Sequence, residues 1–251
     1  MKYSICITTF KDRFHLLKNL IKSLRNFSDS DIFIAVNGQA NEKFCNDYRR
    51  EVLALCSNYE SIYPIFFLES RGLAKMWNTL IAHSGTENNL MLNDDLEITA
   101  GNFDNFCKSK KPEIMYTINY SFSHFLVNKN IFHDMKGFDE RFLGFGNEDT
   151  DFKYQYGSQH KNMIHNCQVD GIRNLDSKIH DPEVRKMPGS KYSRFNDDFL
   201  ILGKNPKYVK SDDGDGGFGA FWDFSVKKNL DDKPQYIYEN FFQENKHKLY
   251  E

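Results

Sequence analysis

Apolar and polar positions in the first part of the chain alternate between the period of strands and the period of helices. Residues 3–9 (YSICITT) are rich in β-branched side chains and predict a strand, whereas apolar residues three and four apart predict an amphipathic helix over 13–27. The run DIFIAV at 31–36, followed by the turn pair Asn37-Gly38, predicts a second strand. Strands followed by helices of this length indicate βαβ units and a mostly parallel sheet.

The same alternation continues to about residue 93. A helix is expected over 41–56, a strand over 62–68 that begins after Pro64, and a helix from Gly72, followed by the strand NLMLN at 89–93. Each apolar run is short and ends at polar or turn-forming residues. This part of the chain therefore predicts a Rossmann-like α/β fold of three layers.

From residue 113 the alternation weakens. The runs EIMYTI and FSHFLV predict closely spaced strands of a small mixed sheet, Asn128 is expected to cap a short helix through Met135, and a further helix is expected over 147–158. A last strand is predicted within NMIHNCQV, and the pattern becomes irregular beyond residue 170, apart from a helix or tail over 234–251. We expect a core over 1–170 and an acceptor-side extension over 171–251.

Composition excludes several classes of protein. The 251 residues carry a net charge of −2, which argues against nucleic-acid binding. The five cysteines are scattered and form no C-x-x-C pair, as expected of reduced thiols. The N-terminal sequence has no long apolar region, and no run reaches the ~18 apolar residues of a membrane span. We therefore expect a cytoplasmic protein, which could still dock at the inner face of a membrane through a partner or a lipid substrate.

Two adjacent carboxylates follow a short apolar strand. Leu90-Met91-Leu92 ends at Asn93-Asp94-Asp95, which places the acids at the edge of the sheet where α/β proteins bind ligands. Adjacent carboxylates repel each other unless a cation or solvent separates them, and Mg²⁺ and Mn²⁺ prefer such oxygen ligands. From the residues alone, a metal site and a solvated turn both remain open.

A second acidic block follows a glycine-punctuated loop. The segment GFDERFLGFGNEDTDF at 137–152 leads into Glu148, Asp149 and Asp151. Glycines allow the backbone to approach a ligand, and a carboxylate placed there can accept a proton from a hydroxyl nucleophile. The alternative is that these acids complement the dipole at the start of a helix.

Further candidates lie nearer the C-terminus. His180 can complete a metal site as a neutral imidazole, although a lone histidine is more often structural. Trp222 is a candidate for stacking on an acceptor sugar, with packing as the alternative. The acidic, glycine-rich segment SDDGDGGFG at 211–219 suits either a lid or a surface loop.

These pieces together resemble the GT-A fold glycosyltransferases, most closely the bacterial family-2 inverting enzymes. The resemblance rests on SICITTFKDRFHLLKNLIKSL, SRGLAKMWNTLI, MLNDDLEI and KGFDERFLGFGNEDTDF, with a weaker match over IHDPE and YSRFNDDFLILGKNPKY. It spans most of the chain. The pair formed by MLNDDLEI and the acidic block about fifty residues later is its most specific part.

The resemblance implies a role for each candidate. Asp95 is the expected metal ligand with His180 as a further one, and Asp149 is the expected catalytic base with Glu148 beside it. The nucleotide-sugar donor is expected to meet Thr9, Phe10, Arg13, Asn37, Arg71, Asn78, Asn93 and Asp94. The sugar and acceptor are expected to meet Phe138, Asp139, Glu140 and Trp222. Asn93 replaces the first acid of the family's D-x-D element, and Val36 stands where relatives carry an acid that binds the nucleobase.

The expected activity is metal-dependent transfer of a sugar, with inversion, from a nucleotide-diphosphate sugar to a hydroxyl of a glycan or lipid-linked acceptor. UDP is the expected nucleotide and Mn²⁺ or Mg²⁺ the expected cation, and polysaccharide assembly is the expected setting. Two alternatives stay open. A nucleotidyltransferase would carry a glycine-rich phosphate loop after the first strand, which TTFKDRF lacks. A non-catalytic sugar-binding protein on a decayed transferase fold is the other.

Overall fold

The computed structural model describes residues 2–38, 46–159, 164–175, 196 and 238–247. They fall within two compact units. The first draws on Met1–Arg71, Lys75–Asp134 and Ile164–Asp181, and the second on Gly72–Ala74, Met135–Met163 and Pro182–Glu251. The predicted division near residue 170 remains a prediction.

Strands and helices alternate along the first unit in the predicted order. Its strands are β1 Tyr3–Thr9, β2 Ile32–Val36, β3 Ile62–Phe66, β4 Asn88–Asn93, β5 Leu96–Ile98, β6 Tyr116–Ile118, β7 Ser121–Asn128, β8 His165–Cys167 and β9 Ile172–Asn174. Its helices are α1 Phe14–Arg25, α2 Asn46–Ser57, α3 Leu73–His83, α4 Asn102–Ser109 and α5 Lys129–Asp134; the first turn of α3 is counted with the second unit.

Seven of these strands form one sheet in the order β3-β2-β1-β4-β7-β6-β8. The pairs β1–β2, β2–β3, β1–β4 and β6–β8 are parallel, whereas β7 runs antiparallel to both β4 and β6. Helices cover both faces, and β5 pairs with β9 in a small antiparallel sheet. The predicted α/β fold with a mostly parallel central sheet and a second, smaller one is thus confirmed.

The core explains why the periodic segments were predictable. Every residue of β1 is buried, as a central strand covered on both faces requires. In α1 the buried residues recur at three and four positions, at Leu17, Leu20, Ile21 and Leu24. The helix therefore packs one apolar stripe against the sheet and leaves its basic positions outside.

Some boundaries differ from the predictions. The strand expected to begin after Pro64 begins at Ile62 instead, and Pro64 lies opposite Ile34 of β2. This position is tolerated because β3 is at the edge of the sheet, where a missing backbone N–H leaves no interior ladder bond unmade. Three short elements, β5, β9 and α4, were not predicted because they are too short for a periodic pattern.

The polar end of β7 confirms the predicted cap. Asn128 accepts a hydrogen bond from the backbone N–H of Asn130 at 2.9 Å, at the start of α5. Its side-chain amide also donates to the Asn88 side chain at 2.9 Å, which links the last residue of β7 to the first residue of β4. Among the described residues, no helix is both long and apolar enough to cross a membrane.

The second unit contains the helix α6 Glu148–Gln159 and the glycine-punctuated loop before it, together with a helix at Tyr238–Asn245. Phe138 in the loop stacks on Phe152 of α6, with ring centroids 4.3 Å apart. Lys136, Gly137, Gly144, Gly146 and Asn147 all have positive φ angles. Lys136 and Asn147 are not glycines, so the loop holds two residues in a backbone conformation that residues with a Cβ rarely adopt.

Gly171 lies in the turn before β9, in the first unit, and allows a test of the backbone conformation there. Its φ is +83°, and a Cβ there would lie 2.6 Å from the Cβ of Ala100 and 2.8 Å from its nitrogen. Gly171→Ala should therefore lower the free energy of unfolding by about 1 kcal/mol or more, measured by urea denaturation.

Gly157 in α6 is the matched control, because nothing lies within 4 Å of a Cβ added there. Gly157→Ala should raise the free energy of unfolding by about 0.5–1 kcal/mol, since alanine favours a helix interior. Equal effects of the two substitutions would contradict the backbone geometry at Gly171.

Candidate active site

The sheet changes direction of winding between β1 and β4. From β1 the chain proceeds to β2 on one side and reaches β4 on the other, and Thr8 of β1 pairs with Asn93 of β4. Open α/β sheets bind ligands at the carboxyl ends of the strands at such a switch point. Thr9, Asn93, Asp94 and Asp95 therefore stand at the position where a ligand is expected.

Asp94 is buried and held by two side chains, one from the last residue of β1 and one from the turn that follows it. Its Oδ2 accepts a hydrogen bond from Thr9 Oγ1 at 2.7 Å, and its Oδ1 accepts one from Arg13 Nε at 2.7 Å. Burial raises the pKa of Asp94 to about 6, although the charge of Arg13 and the Thr9 hydroxyl act in the opposite direction. Asp94 thus serves to anchor Arg13 beneath the end of β4.

Asp95 shares the same arginine but keeps one oxygen without a partner. Arg13 Nη2 lies 2.8 Å from Asp95 Oδ2, whereas the buried Oδ1 has no hydrogen-bond partner among the described residues. The backbone N–H of Leu175 donates to the Asp95 carbonyl at 2.7 Å, which fixes the main chain here. The carboxylate is therefore positioned with one lone oxygen available for a ligand.

His124 on β7 is a second buried group with an unpartnered atom. Its Nδ1 has no hydrogen-bond partner among the described residues. Burial lowers the pKa of His124, while the charge of Asp95 opposes this shift, so the two groups interact electrostatically. A neutral imidazole and a carboxylate oxygen are both good ligands of Mn²⁺. Sequence reasoning missed His124 because a histidine within an apolar strand resembles a packed core residue.

The unpartnered Oδ1 of Asp95 could serve as one ligand of a divalent cation that draws its remaining ligands from a substrate. Among the described residues, no group of three or more His, Cys, Asp or Glu side chains is arranged to hold a metal ion. Mg²⁺ and similar cations are commonly held by one or two carboxylates together with substrate phosphates. The geometry near Asp95 is compatible with that mode of binding.

The turn after β1 explains how Arg13 reaches both acids. Phe10 is extended, with φ −147° and ψ 166°, and the residues Lys11–Arg13 form a single 3₁₀ turn closed by an Arg13 N–H bond to the Phe10 carbonyl. The Arg13 guanidinium lies 5.5 Å from the centre of the Phe10 ring. This aromatic contact and the two carboxylates hold the guanidinium in place.

Asn37 joins the ends of β2 and β3. Its Oδ1 accepts hydrogen bonds from the backbone N–H groups of Arg71 at 2.8 Å and Gly38 at 3.0 Å, and its Nδ2 donates to the Arg71 carbonyl at 3.0 Å. A Cβ at Gly38 would lie 2.3–2.6 Å from the backbone of Glu69, so only glycine fits there. Asn37 therefore positions Arg71, and most of its amide is already engaged.

Other predicted donor residues lie in the first unit as well. Asn93 is half-buried at the end of β4, Asn78 is buried in α3, and Val36 is fully buried in the core. The side chain of Arg71 is 15% exposed and lies 3.7 Å from Glu69. Contact of these residues with a donor stays a prediction.

The second acidic block begins α6, and its two acids differ in their surroundings. Glu148 is buried and its Oε2 accepts a hydrogen bond from the Gly146 N–H at 2.5 Å. Asp149 keeps 32% of its side chain exposed and pairs with Lys153 one turn later at 3.1 Å. Asp149 is therefore the acid that reaches solvent, while Glu148 is turned back against its own loop.

Electrostatics separates the same two acids. Burial raises the pKa of Glu148 to about 8, and the charge of Asp149 adds to this effect. A carboxyl with such a pKa holds its proton at neutral pH and cannot accept another one there. Of the two acids, Asp149 is therefore the one that could act as a general base at pH 7, and that role stays a prediction.

The loop before α6 buries the residues that were expected to meet sugars. Phe138 is 1% exposed, while Asp139 and Glu140 are each 8% exposed. Asp139 accepts hydrogen bonds from Arg141 Nε at 2.9 Å and Arg141 Nη2 at 2.6 Å. These contacts give Phe138 and Asp139 packing roles within the loop, and a role in substrate binding stays a prediction.

Asn196 also holds this loop and was not singled out in the sequence. Its Oδ1 accepts from the Leu143 N–H at 2.8 Å, and its Nδ2 donates to the carbonyls of Leu143 at 2.8 Å and Gly146 at 2.9 Å. An asparagine among polar neighbours in an irregular segment carries no periodic signal. A buried amide of this kind is visible only in three dimensions.

The structure thus brings together Thr9, Phe10, Arg13, Asp94 and Asp95 in the first unit, with Asn37 and Arg71 joined to each other. Glu148 and Asp149 lie in the second unit. His180, Trp222 and the segment 211–219 lie outside the described residues. The roles predicted for them stay predictions.

Solved structures similar to this one are glycosyltransferases with the GT-A fold. S. aureus TarS is 13% identical with a TM-score of 0.54, over 68% of this chain and 36% of its own. The mannosyltransferase PcManGT from Pyrobaculum calidifontis, in complex with GDP-Man and Mn²⁺, is 10% identical with a TM-score of 0.53, over 66% of this chain and 56% of its own. The catalytic domain of Drosophila β1,4-galactosyltransferase 7, in complex with xylobiose, is 14% identical with a TM-score of 0.50, over 72% of this chain and 74% of its own.

These likenesses establish the GT-A fold predicted from the motifs. The chain spans 36% of TarS and 56% of PcManGT, so it matches only part of either protein. Neither a protein-family model nor a curated protein matches the sequence. The activity must therefore be argued from the residues themselves.

The raised pKa of Glu148 predicts a dependence of stability on pH. Between the ordinary pKa of 4.5 and about 8 the folded protein keeps a proton that the unfolded chain releases. The free energy of unfolding should therefore fall as pH rises through this window, by up to about 1.4 kcal/mol per pH unit. Glu148→Gln cannot ionise and should flatten this slope, as measured by urea denaturation from pH 5 to pH 9.

Glu51, exposed on α2, provides the matched control. Glu51→Gln should leave the slope between pH 5 and pH 9 as it is in the wild type. An unchanged slope in Glu148→Gln would show that Glu148 is ionised in the folded protein.

Proposed function

We propose that this chain is an inverting glycosyltransferase that moves a sugar from a nucleotide-diphosphate sugar to a hydroxyl of a glycan or lipid-linked glycan. The observation that carries the proposal is the buried acid pair Asp94-Asp95, anchored by Arg13 at the switch point of a GT-A sheet. Similar structures contain nucleotide sugars: PcManGT is in complex with GDP-Man and Mn²⁺, and TarS with UDP-GlcNAc.

The donor diphosphate is assigned to the cations and polar groups of the first unit. Arg71, held by Asn37, supplies a positive charge near the ends of β2 and β3. Arg13 is occupied by Asp94 and Asp95, so its contribution is to keep both carboxylates ionised and in place. Asn93, at the end of β4, takes the position of the first acid in the family's D-x-D element and can hydrogen-bond a ribose.

Asp95 is assigned to a divalent cation, with Mn²⁺ or Mg²⁺ as the expected ion and UDP as the expected nucleotide. Its partnerless Oδ1 supports this assignment, and His180 remains a predicted further ligand. When bound, the cation neutralises the charge that develops on the leaving diphosphate. The protein contributes a carboxylate that is already desolvated and already fixed by Arg13 and Leu175.

Asp149 is assigned to the acceptor hydroxyl. It takes the proton as the hydroxyl oxygen attacks the anomeric carbon from the face opposite the diphosphate, and this single displacement inverts the configuration. Its solvent-reaching position and the protonated state of Glu148 beside it support the choice between the two acids. Trp222, Phe138, Asp139 and Glu140 remain predicted sugar-contacting residues.

A donor panel tests the proposal directly. UDP-GlcNAc, UDP-glucose, UDP-galactose and GDP-mannose are each added with Mn²⁺, and both thermal stabilisation and slow hydrolysis are measured. A donor at one hundred times its Kd should stabilise the fold by about 2.7 kcal/mol. Stabilisation with hydrolysis supports a transferase, binding without hydrolysis indicates a non-catalytic sugar-nucleotide-binding protein, and no response to any donor contradicts the proposal.

Removal of the proposed base should affect turnover rather than binding. Asp149→Asn keeps the size of the side chain but cannot accept the proton, so kcat for the best donor of the panel should fall about 10²–10⁴-fold. The Kd of UDP with Mn²⁺, measured by calorimetry, should stay within about twofold because Asp149 is not assigned to the donor. The exposed Asp134, substituted by Asn, is the control for loss of one surface charge.

Removal of the proposed metal ligand should have the opposite signature. In Asp95→Asn, Mn²⁺ should no longer strengthen the binding of UDP in calorimetric titrations made with and without the metal. Asp94 still pairs with Arg13 in this variant, so the fold should persist. Metal-dependent affinity equal to that of the wild type would remove Asp95 from the role.

A further inference from the structure

The loop that leads to Glu148 and Asp149 is closed by one side-chain amide. Asn196 is fully buried, and the three hydrogen bonds that it makes to described residues go to backbone groups of that loop. It meets both the N–H and the carbonyl of Leu143, as a neighbouring strand would, and it also meets the carbonyl of Gly146. The amide is thus complementary to one conformation of the loop.

The contacted residues are those that determine where the acids stand. The Gly146 N–H donates to Glu148, and the Asn147 carbonyl accepts from the Asp151 N–H in the first turn of α6. Gly144, Gly146 and Asn147 have positive φ angles of 69°, 121° and 73°. Because a non-glycine residue resists this conformation, the loop needs contacts that hold it there.

Backbone contacts on the other side complete the restraint. The Leu73 N–H donates to the Gly144 carbonyl at 2.5 Å, and a Cβ on Gly72 would lie 2.6 Å from the Phe142 carbonyl. The loop is therefore tied through Gly144 by the main chain and through Leu143 and Gly146 by Asn196. Of these ties, the asparagine is the one that a side-chain substitution can remove.

We propose that Asn196 is a positioning residue for the catalytic base: its amide holds Leu143 and Gly146 so that Asp149 stands at the distance that proton transfer requires. This inference rests on the proposed function. Asn196 touches no reacting atom and acts through the loop alone. A displacement of the order of 1 Å at a catalytic group can cost about 10²-fold in rate.

Asn119 provides a matched control of the same chemistry. Its Oδ1 accepts from the Val169 N–H at 2.8 Å and its Nδ2 donates to the Val169 carbonyl at 3.1 Å, which joins the residue after β6 to the segment after β8 in the first unit. Asn119→Ala therefore removes an equivalent amide–backbone pair that is not assigned to the base. Loss of stability is expected from both substitutions, but loss of turnover only from Asn196→Ala.

The experiment compares Asn196→Ala, Asn196→Asp and Asn119→Ala with the wild type. Hydrogen exchange at the Leu143 amide reports the hydrogen bond to Asn196 and can be measured without any enzymatic activity. The exchange should become faster in Asn196→Ala and stay slow in Asn119→Ala. With the donor that the panel identifies, kcat in Asn196→Ala should fall about 10–10²-fold. KM for that donor should stay within about twofold of the wild type, since the residues assigned to the donor lie elsewhere in the chain.

Asn196→Asp distinguishes the effect of losing the amide hydrogen bonds from the effect of losing side-chain volume. A carboxylate keeps the acceptor for the Leu143 N–H but faces two carbonyl oxygens, so kcat should fall at least as far as in the alanine variant although the side chain is the same size. Faster Leu143 exchange with wild-type kcat would overturn the positioning role, as would an equal fall of kcat in Asn119→Ala. Absence of donor turnover in the wild type itself would instead count against the proposed function.

Discussion

The ion pairs of Arg13 with Asp94 and Asp95 are the interaction on which the candidate donor site depends. Buried charges are costly unless they are paired, and removing one partner of such a group typically costs about 3–5 kcal/mol. Two carboxylates and one guanidinium leave a net charge of −1 at the ends of β1 and β4. Acids that are paired with one arginine but still carry one excess negative charge are suited to a cation that arrives with a substrate.

Asparagine side chains fix the loops by hydrogen bonds, as Arg13 fixes the two acids by ion pairs. Asn37, Asn119 and Asn196 each pair with both the N–H and the carbonyl of one distant residue, at Arg71, Val169 and Leu143 respectively. Such a pair reproduces one rung of a β-ladder without requiring a strand. Irregular segments can therefore be held firmly while their own side chains remain available for binding.

The repeating elements of the fold could be predicted because burial imposes a period on the sequence. Strand β1 and helix α1 show this, since their buried positions follow periods that a reader can count. The location of Asp94 and Asp95 could also be predicted, because a strand end in a parallel sheet has a known place. Their pairing with Arg13, some eighty residues earlier, could not be predicted, because no pattern in the sequence indicates which basic side chain the two acids share.

Other side-chain contacts could not be predicted from the sequence for the same reason. Phe138 and Asp139 lie in a motif whose letters suggest substrate contact, but the stacking on Phe152 and the pairing with Arg141 depend on the path of the loop. Val36 occupies a core position in β2, and its consequence for nucleobase recognition stays a prediction. In each case the residue type was visible in the sequence, whereas its neighbour was not.

The edges of the central sheet bear on how the protein behaves at high concentration. One edge, β3, contains Pro64, and the other, β8, is only three residues long. An edge strand with a full row of backbone N–H and carbonyl groups invites another chain to add to the sheet, and proline or brevity blocks this. Within the part of the chain that the structure describes, neither edge offers a long template, so the addition of a second copy to this sheet is disfavoured.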